Sequence, residues 1–160
     1  MKNNYLNKSK KEYYMNDFNF LLKLKDDFWG LDKGLKKILT HINCNENIQT
    51  LYSKFSQGKD ANGNQLSYLE FCYTSKIELE LFRNTIPFFI NKYNTNSGDK
   101  CYYLFNKPIK NENYIKHAIK TGLACLDDEN YFLINNIGIY LNSNNIKTHK
   151  LFWKDIELSF

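Results

Sequence analysis

The fold prediction depends most on residues 66–82, which have the sequence LSYLEFCYTSKIELELF. Ser67 and Glu70 have the S-x-x-E spacing of a helix capping box, in which each side chain bonds the free backbone amide of the other residue. Leu66 and Phe71 stand at the two positions of a hydrophobic staple around that box. The pattern predicts that a helix begins directly after Ser67.

The rest of the quoted stretch continues this helical spacing. Apolar residues recur every four positions, which places them on one face of a helix. They are Leu69, Tyr73, Ile77 and Leu81. Other apolar residues fall on other faces, so the predicted helix is interpreted as a central one. Residues 77–81 (IELEL) also alternate between apolar and acidic side chains, which leaves a strand there as an alternative.

Helices are also predicted on both sides of this stretch. Towards the N-terminus, apolar spacing predicts one helix over about residues 16–30, a second that is capped by Asp32, and a short third over about residues 46–56. Towards the C-terminus, Pro87 is expected as the first residue of a helix that runs to Tyr93. Proline has no backbone N–H, and the N–H groups in the first turn of a helix have no bonding partner within the helix.

The C-terminal third predicts most of the β-structure. Residues 101–105 (CYYLF) favour a strand, residues 112–121 favour a helix, and the apolar tail over residues 151–156 is expected to dock onto the core. Two β-favouring runs, 131–134 and 137–141, flank a pair of asparagines, which tolerate the positive φ of a tight turn. The predicted fold class is therefore α+β and helix-dominated, with four to six helices and a short C-terminal antiparallel β-hairpin.

A chain of 160 residues is one domain by default. Residues 1–13 are polar and include the basic run KSKK, so they are predicted as a flexible N-terminal arm. Residues 14–160 are predicted as a single globular domain. The loop-forming composition of residues 94–100 (NTNSGDK) makes them the expected place for a hinge.

The composition limits what the charge can mean. The formal net charge is +5, yet Arg83 is the only arginine and the chain contains no valine. Lysine, asparagine, isoleucine, tyrosine and phenylalanine are the residues that an AT-rich gene supplies. The lysine excess is therefore not interpreted as selection for a nucleic-acid partner. An AT-rich gene of this size fits an accessory or mobile-element product.

Cysteine usage and hydropathy predict a cytoplasmic protein. The four cysteines form no C-x-x-C pair, no leader with a charged and then an apolar region precedes a cleavage site, and no run of about 18 apolar residues could span a bilayer. We therefore expect reduced thiols and no membrane partner.

Two stretches are similar to ion-binding sites but depart from them. Residues 60–70 (DANGNQLSYLE) are similar to the calcium loop of an EF-hand, although they are one residue too short and Gln65 stands where glycine belongs. His41 and Cys44 have the spacing of metal ligands, but a structural zinc site needs a second close pair. We predict no metal and no cofactor, while calcium binding at the 60–71 loop stays open.

No catalytic signature is visible in the sequence. The chain has no G-x-S-x-G nucleophile elbow and no phosphate-binding loop of the G-x-x-x-x-G-K-[ST] type. Asp26-Asp27 and residues 127–129 (DDE) are carboxylate clusters, which are expected to be solvated surface. We predict that the protein is not an enzyme and has no catalytic residues.

Residues 110–147 allow a nucleic-acid interpretation. A helix followed by a hairpin resembles the last helix and the wing of a winged-helix domain. The residues expected at the nucleic acid are then Lys110, Asn113, Lys116, His117, Lys120 and Lys147. An acidic run in the wing and the near absence of arginine count against this interpretation, because arginine makes the commonest specific base contact.

The leading functional prediction is a non-enzymatic protein-binding inhibitor. It is expected to act by stoichiometric occlusion of another protein, a toxin or a defence effector, as toxin-immunity and phage anti-defence proteins do. Exposed tyrosines and lysines would form the contact, since tyrosine is favoured at interfaces. The sequence does not show which residues bind the partner. A winged-helix-like nucleic-acid-binding protein is the alternative.

Overall fold

The computed structural model describes residues 5–23, 33–56, 65–95, 98–106 and 135–160 of the chain. A four-stranded sheet forms the centre of this part of the protein. Its strands are β1 (Ile48–Lys54), β2 (Leu66–Tyr73), β3 (Lys100–Asn106) and β4 (Asn136–Asn142). The strands lie in the order β1-β2-β4-β3, and each neighbouring pair is antiparallel.

Four longer helices accompany the sheet in the described ranges. They are α1 (Lys8–Leu22), α2 (Lys33–Asn43), α3 (Ile86–Tyr93) and α4 (Ile146–Ser159). Between β2 and α3 the chain forms a 3-10 turn (Ser75–Ile77), one turn of α-helix (Glu78–Glu80) and a π-helical turn (Leu81–Thr85). In these ranges, no helix has the length and apolar character that a membrane span requires.

Strand β2 is where the sequence prediction fails most clearly. Leu69, Phe71 and Tyr73 point to one face of the sheet and are at most 1% exposed. Because side chains alternate along a strand, Ser67 lies on that same face and Glu70 lies on the opposite face. The predicted capping box is therefore wrong, since its two side chains are on opposite sides of a strand.

Strand β1 takes the place of the predicted short helix over residues 46–56. A bulge between Thr50 and Tyr52 shifts its register against β2. Ile48, at the start of the strand, is 2% exposed and belongs to the main core. Pairing with β2 thus decides the conformation here, which local apolar spacing could not show.

The predicted C-terminal hairpin is wrong as well. Strand β4 pairs with β2 along one side from Asn136 to Asn142, and with β3 along the other side over the same residues. Both sides of β4 are filled by β2 and β3, and the other predicted run, 131–134, lies outside the described residues. Helices and a sheet are mixed as expected for an α+β fold, but the strands come from all along the chain.

Predictions that rest on local pattern are confirmed in several places. The run 101–105 lies within β3, and the run 137–141 lies within β4. Pro87 lies in the first turn of α3 but does not begin a helix, because helical backbone already runs into α3 through Leu81–Thr85. The apolar stripe of α2 is buried as expected, at Leu35, Ile38, Leu39 and Ile42. The C-terminal tail docks as α4. The predicted helix over residues 112–121 and the Asp32 cap lie outside the described residues.

The predicted N-terminal arm (residues 1–13), the domain after it and the hinge at residues 94–100 stay predictions. The end of the arm range belongs to α1, and Leu6 just before this helix is 3% exposed. The Leu6 N–H donates to the carbonyl oxygen of Tyr73 at 2.8 Å. The start of the described chain therefore contacts the central strand β2.

The main hydrophobic core lies on the face of the sheet that carries Leu69. Helices α2, α3 and α4 cover this face and contribute Ile42, Phe89 and Trp153, each of them 0% exposed. Aromatic rings pack edge to face in this layer, and the ring centroids of Phe152 and Trp153 are 5.9 Å apart. Each large apolar side chain buried in this way contributes about 1.5–3 kcal/mol, so the core does not need valine.

Three tyrosines stack on the opposite face of the sheet. The ring of Tyr140 lies between Tyr68, at 5.5 Å between centroids, and Tyr102, at 5.2 Å with the ring planes 10° apart. The Tyr140 hydroxyl donates to the carboxylate of Glu70, and Tyr140 is only 8% exposed. A Cβ at Gly138 would meet the Tyr140 ring at 2.5 Å. The lack of a side chain at Gly138 therefore makes room for the stack.

A buried chain of hydrogen bonds joins helix α4 to strand β2 and to the residues that follow β1 and β4. The imidazole of His149 in α4 donates through Nε2 to the Ser143 carbonyl oxygen at 2.7 Å. Its Nδ1 then accepts from the Ser67 hydroxyl at 2.6 Å, and that hydroxyl accepts from the Ser56 N–H at 2.9 Å. Burial lowers the pKa of His149 from its ordinary value, because the charged imidazolium would lose its hydration. His149 is therefore held neutral.

We expect Gly138→Ala to lower the free energy of unfolding by about 1–3 kcal/mol, because the added methyl group must displace a ring that is held on both sides. Urea denaturation followed by circular dichroism measures this loss. Gly34→Ala in α2 is the matched control, since nothing lies within 4 Å of a Cβ at that position and alanine favours a helix over glycine. Equal effects of the two substitutions would contradict the role given to the tyrosine stack.

The stability of the wild type is expected to fall as the pH drops below about 6.5, the ordinary pKa of histidine. The unfolded chain takes up a proton there, whereas the folded chain, with its lowered pKa, resists it. In His149→Gln this contribution is absent, because glutamine does not titrate. The difference in unfolding free energy between wild type and variant should shrink between about pH 7.5 and pH 5.5. A difference that stays constant across this range would show that His149 is not the group responsible.

Candidate functional site

The predicted nucleic-acid residues fall almost entirely outside the described ranges. This holds for Lys110, Asn113, Lys116, His117 and Lys120. The sixth, Lys147, is exposed in the first turn of α4, where its N–H donates to the Asn145 side chain at 2.9 Å. The arrangement of these six residues therefore stays untested, while the described half of the predicted wing is strand β4, which pairs with β2 and β3.

The pair Ser67 and His149 has the distance of a nucleophile and its base, and the sequence held no sign of it. Both side chains are 0% exposed, and every polar atom of the pair is used within the chain that also contains Ser56 and Ser143. No carboxylate bonds the imidazole, since its second nitrogen bonds a backbone carbonyl. The pair therefore holds the fold together and is not accessible to a substrate.

The suspected metal ligands do not form a cluster within the described residues. His41 and Cys44 are both exposed at the end of α2. Cys101 is 3% exposed, and burial raises the pKa of its thiol to about 12, which disfavours the thiolate that a metal needs. Residues 57–64, which include the first five residues of the calcium-like loop, are outside the described ranges.

Strand β3 presents the most unusual surface in the described part of the chain. It lies at the edge of the sheet, beyond β4. Four consecutive large side chains are between 41% and 49% exposed. They are Tyr102, Tyr103, Leu104 and Phe105. Because side chains alternate, both faces of this edge strand are apolar and open.

The backbone of β3 shows which of its groups point away from the sheet. The side-chain amide of Asn94 accepts from the Cys101 N–H at 3.1 Å and donates to the Cys101 carbonyl oxygen at 2.8 Å. These two Cys101 groups therefore point outwards, and by alternation so do those of Tyr103 and Phe105. Among the described residues, none bonds these outward groups of Tyr103 and Phe105. We call residues 102–105 with these outward groups the open edge.

At the opposite edge of the sheet, the first half of β1 is closed in contrast, at Ile48 and Thr50. The Asn43 side chain accepts from the Thr50 N–H at 2.9 Å, and the Lys11 ammonium donates to the Ile48 carbonyl oxygen. The Ile48 N–H donates to the Asn45 carbonyl oxygen at 3.2 Å. A bulge adds to this protection, since bulges twist an edge away from a neighbouring strand.

A pocket of about 390 Å³ lies beside the open edge, on the core face of the sheet. Five aromatic rings line it together with one carboxylate and one amide. The aromatic residues are Tyr5, Tyr73, Phe82, Tyr103 and Phe105, and the polar ones are Glu78 and Asn135. We call this the aromatic pocket. Strand β3 therefore contributes side chains both to the open edge and to the pocket.

Among the described residues that line the aromatic pocket, Glu78 is the only charged one. The Tyr5 hydroxyl donates a hydrogen bond to it, and this bond raises the pKa of Tyr5 above its ordinary value. The pKa of Tyr73 is raised too, mainly by burial and then by the nearby charge of Glu78. Both tyrosines therefore stay neutral, and the negative charge of the pocket resides on Glu78.

No family model, no curated protein and no solved structure matches this chain. Its function must therefore be inferred from its own surface, on which the open edge and the aromatic pocket stand out among the described residues.

Proposed function

We propose that this protein is a non-enzymatic, stoichiometric inhibitor that binds another protein and occludes it, in the manner of toxin-immunity or phage anti-defence proteins. The open edge is the observation that carries the proposal. An exposed row of backbone donors and acceptors with apolar side chains on both faces is a template for pairing with another chain.

An extended segment of the partner protein would add as a fifth strand beside β3. The outward N–H and C=O groups of Tyr103 and Phe105 would bond its backbone, and the four exposed side chains would pack against its alternate residues. Tyrosine and phenylalanine are enriched at the buried centres of such interfaces. The β1 edge supports the same assignment, because the outward groups of Ile48 and Thr50 are bonded there, whereas no described residue bonds those of Tyr103 and Phe105.

The inhibitor class is supported by chemistry and by composition. Ser67 and His149 are the closest approach to a catalytic pair in the described ranges, and both are fully buried. A protein that binds without reacting fits these observations. The AT-rich composition, with one arginine and no valine, fits a mobile-element gene acting in the cytoplasm.

Tyr103→Pro and Tyr103→Ala separate the backbone from the side chain. Proline removes the outward N–H without breaking the ladder to β4, because that N–H points away from β4. The wild type is expected to hold its partner in a one-to-one ratio. We expect Tyr103→Pro to lower the amount of bound partner about tenfold or more, and Tyr103→Ala to lower it much less. Quantitative mass spectrometry of tagged protein after cross-linking in the native host measures the ratio.

Circular dichroism serves as the control for folding of both variants. A folded Tyr103→Pro protein that keeps its partner would contradict binding through the open edge. The absence of any protein in one-to-one ratio with the wild type would contradict the inhibitor proposal itself.

Nucleic-acid binding through residues 110–147 stays the alternative. The tyrosine stack does not favour it, because bases stack on free ring faces and the Tyr140 ring is covered by Tyr68 and Tyr102. We expect no retardation of single- or double-stranded DNA or RNA in a mobility-shift assay at about 20 mM salt. Retardation that weakens steeply with added salt and with Lys147→Glu would support the alternative instead.

A further inference from the structure

We propose that the aromatic pocket binds an organic cation, namely an alkylammonium group such as a quaternary amine or the end of a lysine side chain. The face of an aromatic ring is electronegative and attracts a cation that lies over it. Several rings at steep angles, with a carboxylate beside them, are the arrangement that such a cation requires. The pocket offers both.

The rings of the pocket are set at steep angles to one another. Tyr5 and Tyr73 have centroids 6.0 Å apart with planes at 65°, and Tyr73 and Phe82 are 6.1 Å apart at 74°. Phe82 and Phe105 continue the series at 6.2 Å and 71°. The rings thus pack edge to face in a series, each turned steeply from the next, beside the space that all four residues line.

The elements that carry these rings hold them in place. Tyr73 ends the central strand β2 and is 1% exposed, while Phe82 lies in the π-helical turn that follows. Phe105 stands on β3, next to the end of the sheet. Because these rings come from packed elements, the pocket exists without a ligand, and little ordering has to accompany binding.

Glu78 selects for positive charge. Its carboxylate accepts from the Tyr5 hydroxyl and keeps further lone pairs for a second donor. An anion would be repelled both by Glu78 and by the ring faces. A neutral apolar group would fill the space but would take water away from Glu78 without replacing it, which costs free energy. A cation with an alkyl body both fills the apolar space and pairs with the Glu78 carboxylate.

The cation could be a free small amine or a side chain of a protein, and the two sources are tested separately. The full chain is titrated with choline and with its neutral isostere 3,3-dimethyl-1-butanol, by calorimetry and by tyrosine resonances in NMR spectra. A second titration uses Nα-acetyl-lysine methylamide and its trimethylated form. We expect at least one of these cations to bind about tenfold or more tightly than the neutral isostere.

Glu78→Gln keeps the shape of the pocket and removes its charge. We expect this variant to weaken binding of the cation by about fivefold or more, and to leave the weak binding of the neutral isostere unchanged. Glu80→Gln is the matched control, because Glu80 is exposed two residues away and bonds Asn84 instead of lining the pocket. Phe82→Leu should also weaken binding of the cation, since it removes one of the rings that line the pocket.

Equal affinity for the cations and the neutral isostere would overturn the proposal. So would equal effects of Glu78→Gln and Glu80→Gln, in proteins with the thermal stability of the wild type. The proposal does not rest on the open edge having a partner, because choline would bind to the isolated chain. Failure of Tyr103→Pro to release a partner therefore says nothing about the pocket.

Discussion

The pairing of β2 with β4 is the interaction on which the rest of the structure depends. Residue pairs from Leu66↔Asn142 to Cys72↔Asn136 join two strands that lie 64 to 76 positions apart in the chain. Their side chains on one face carry the helices and the core, and those on the other face carry the tyrosine stack. A shift by one residue would exchange the two faces and expose Leu69 and its neighbours. The remaining sides of these two strands then receive β1 and β3, so the location of both sheet edges follows from this one pairing.

The sequence predicts those parts of the fold that depend on neighbours in the chain. The stripe of α2 follows from apolar spacing, and the strand at residues 101–105 follows from a run of β-favouring residues. Ser67 shows why the rest does not. Its spacing to Glu70 suits a helix cap, but its true partner is His149, 82 positions away. The aromatic pocket is of the same kind, because Tyr5, Tyr73, Phe82 and Phe105 come from separate elements and share no spacing. In the sequence, residues 102–105 are four large residues in a row with no charged residue between them, and this run indicates that β3 lacks a polar face.

The two edges of the sheet are treated in opposite ways. At β1, the half-buried ammonium of Lys11 donates to a backbone carbonyl, and its partial burial lowers its pKa to about 8. Taking a charged group out of water costs free energy, so the closure of this edge is achieved against a penalty. At β3, the described residues supply no such closure and the exposed side chains are apolar. The pocket lies on the same side of the molecule as this open edge. One surface therefore combines backbone donors and acceptors, aromatic area and the carboxylate of Glu78.

Asn94 gives the open edge a fixed starting point. Its amide bonds both outward groups of Cys101 and so occupies the place that a residue of an added strand would take. A strand arriving at β3 can form its backbone bonds from Tyr103 onwards but not before. Its phase is thereby set, since the residues opposite Tyr103 and Phe105 must face the same side as these two rings. The Asn94 side chain would thus fix the register of an added strand. It would thereby decide which alternate residues of that strand face the aromatic pocket.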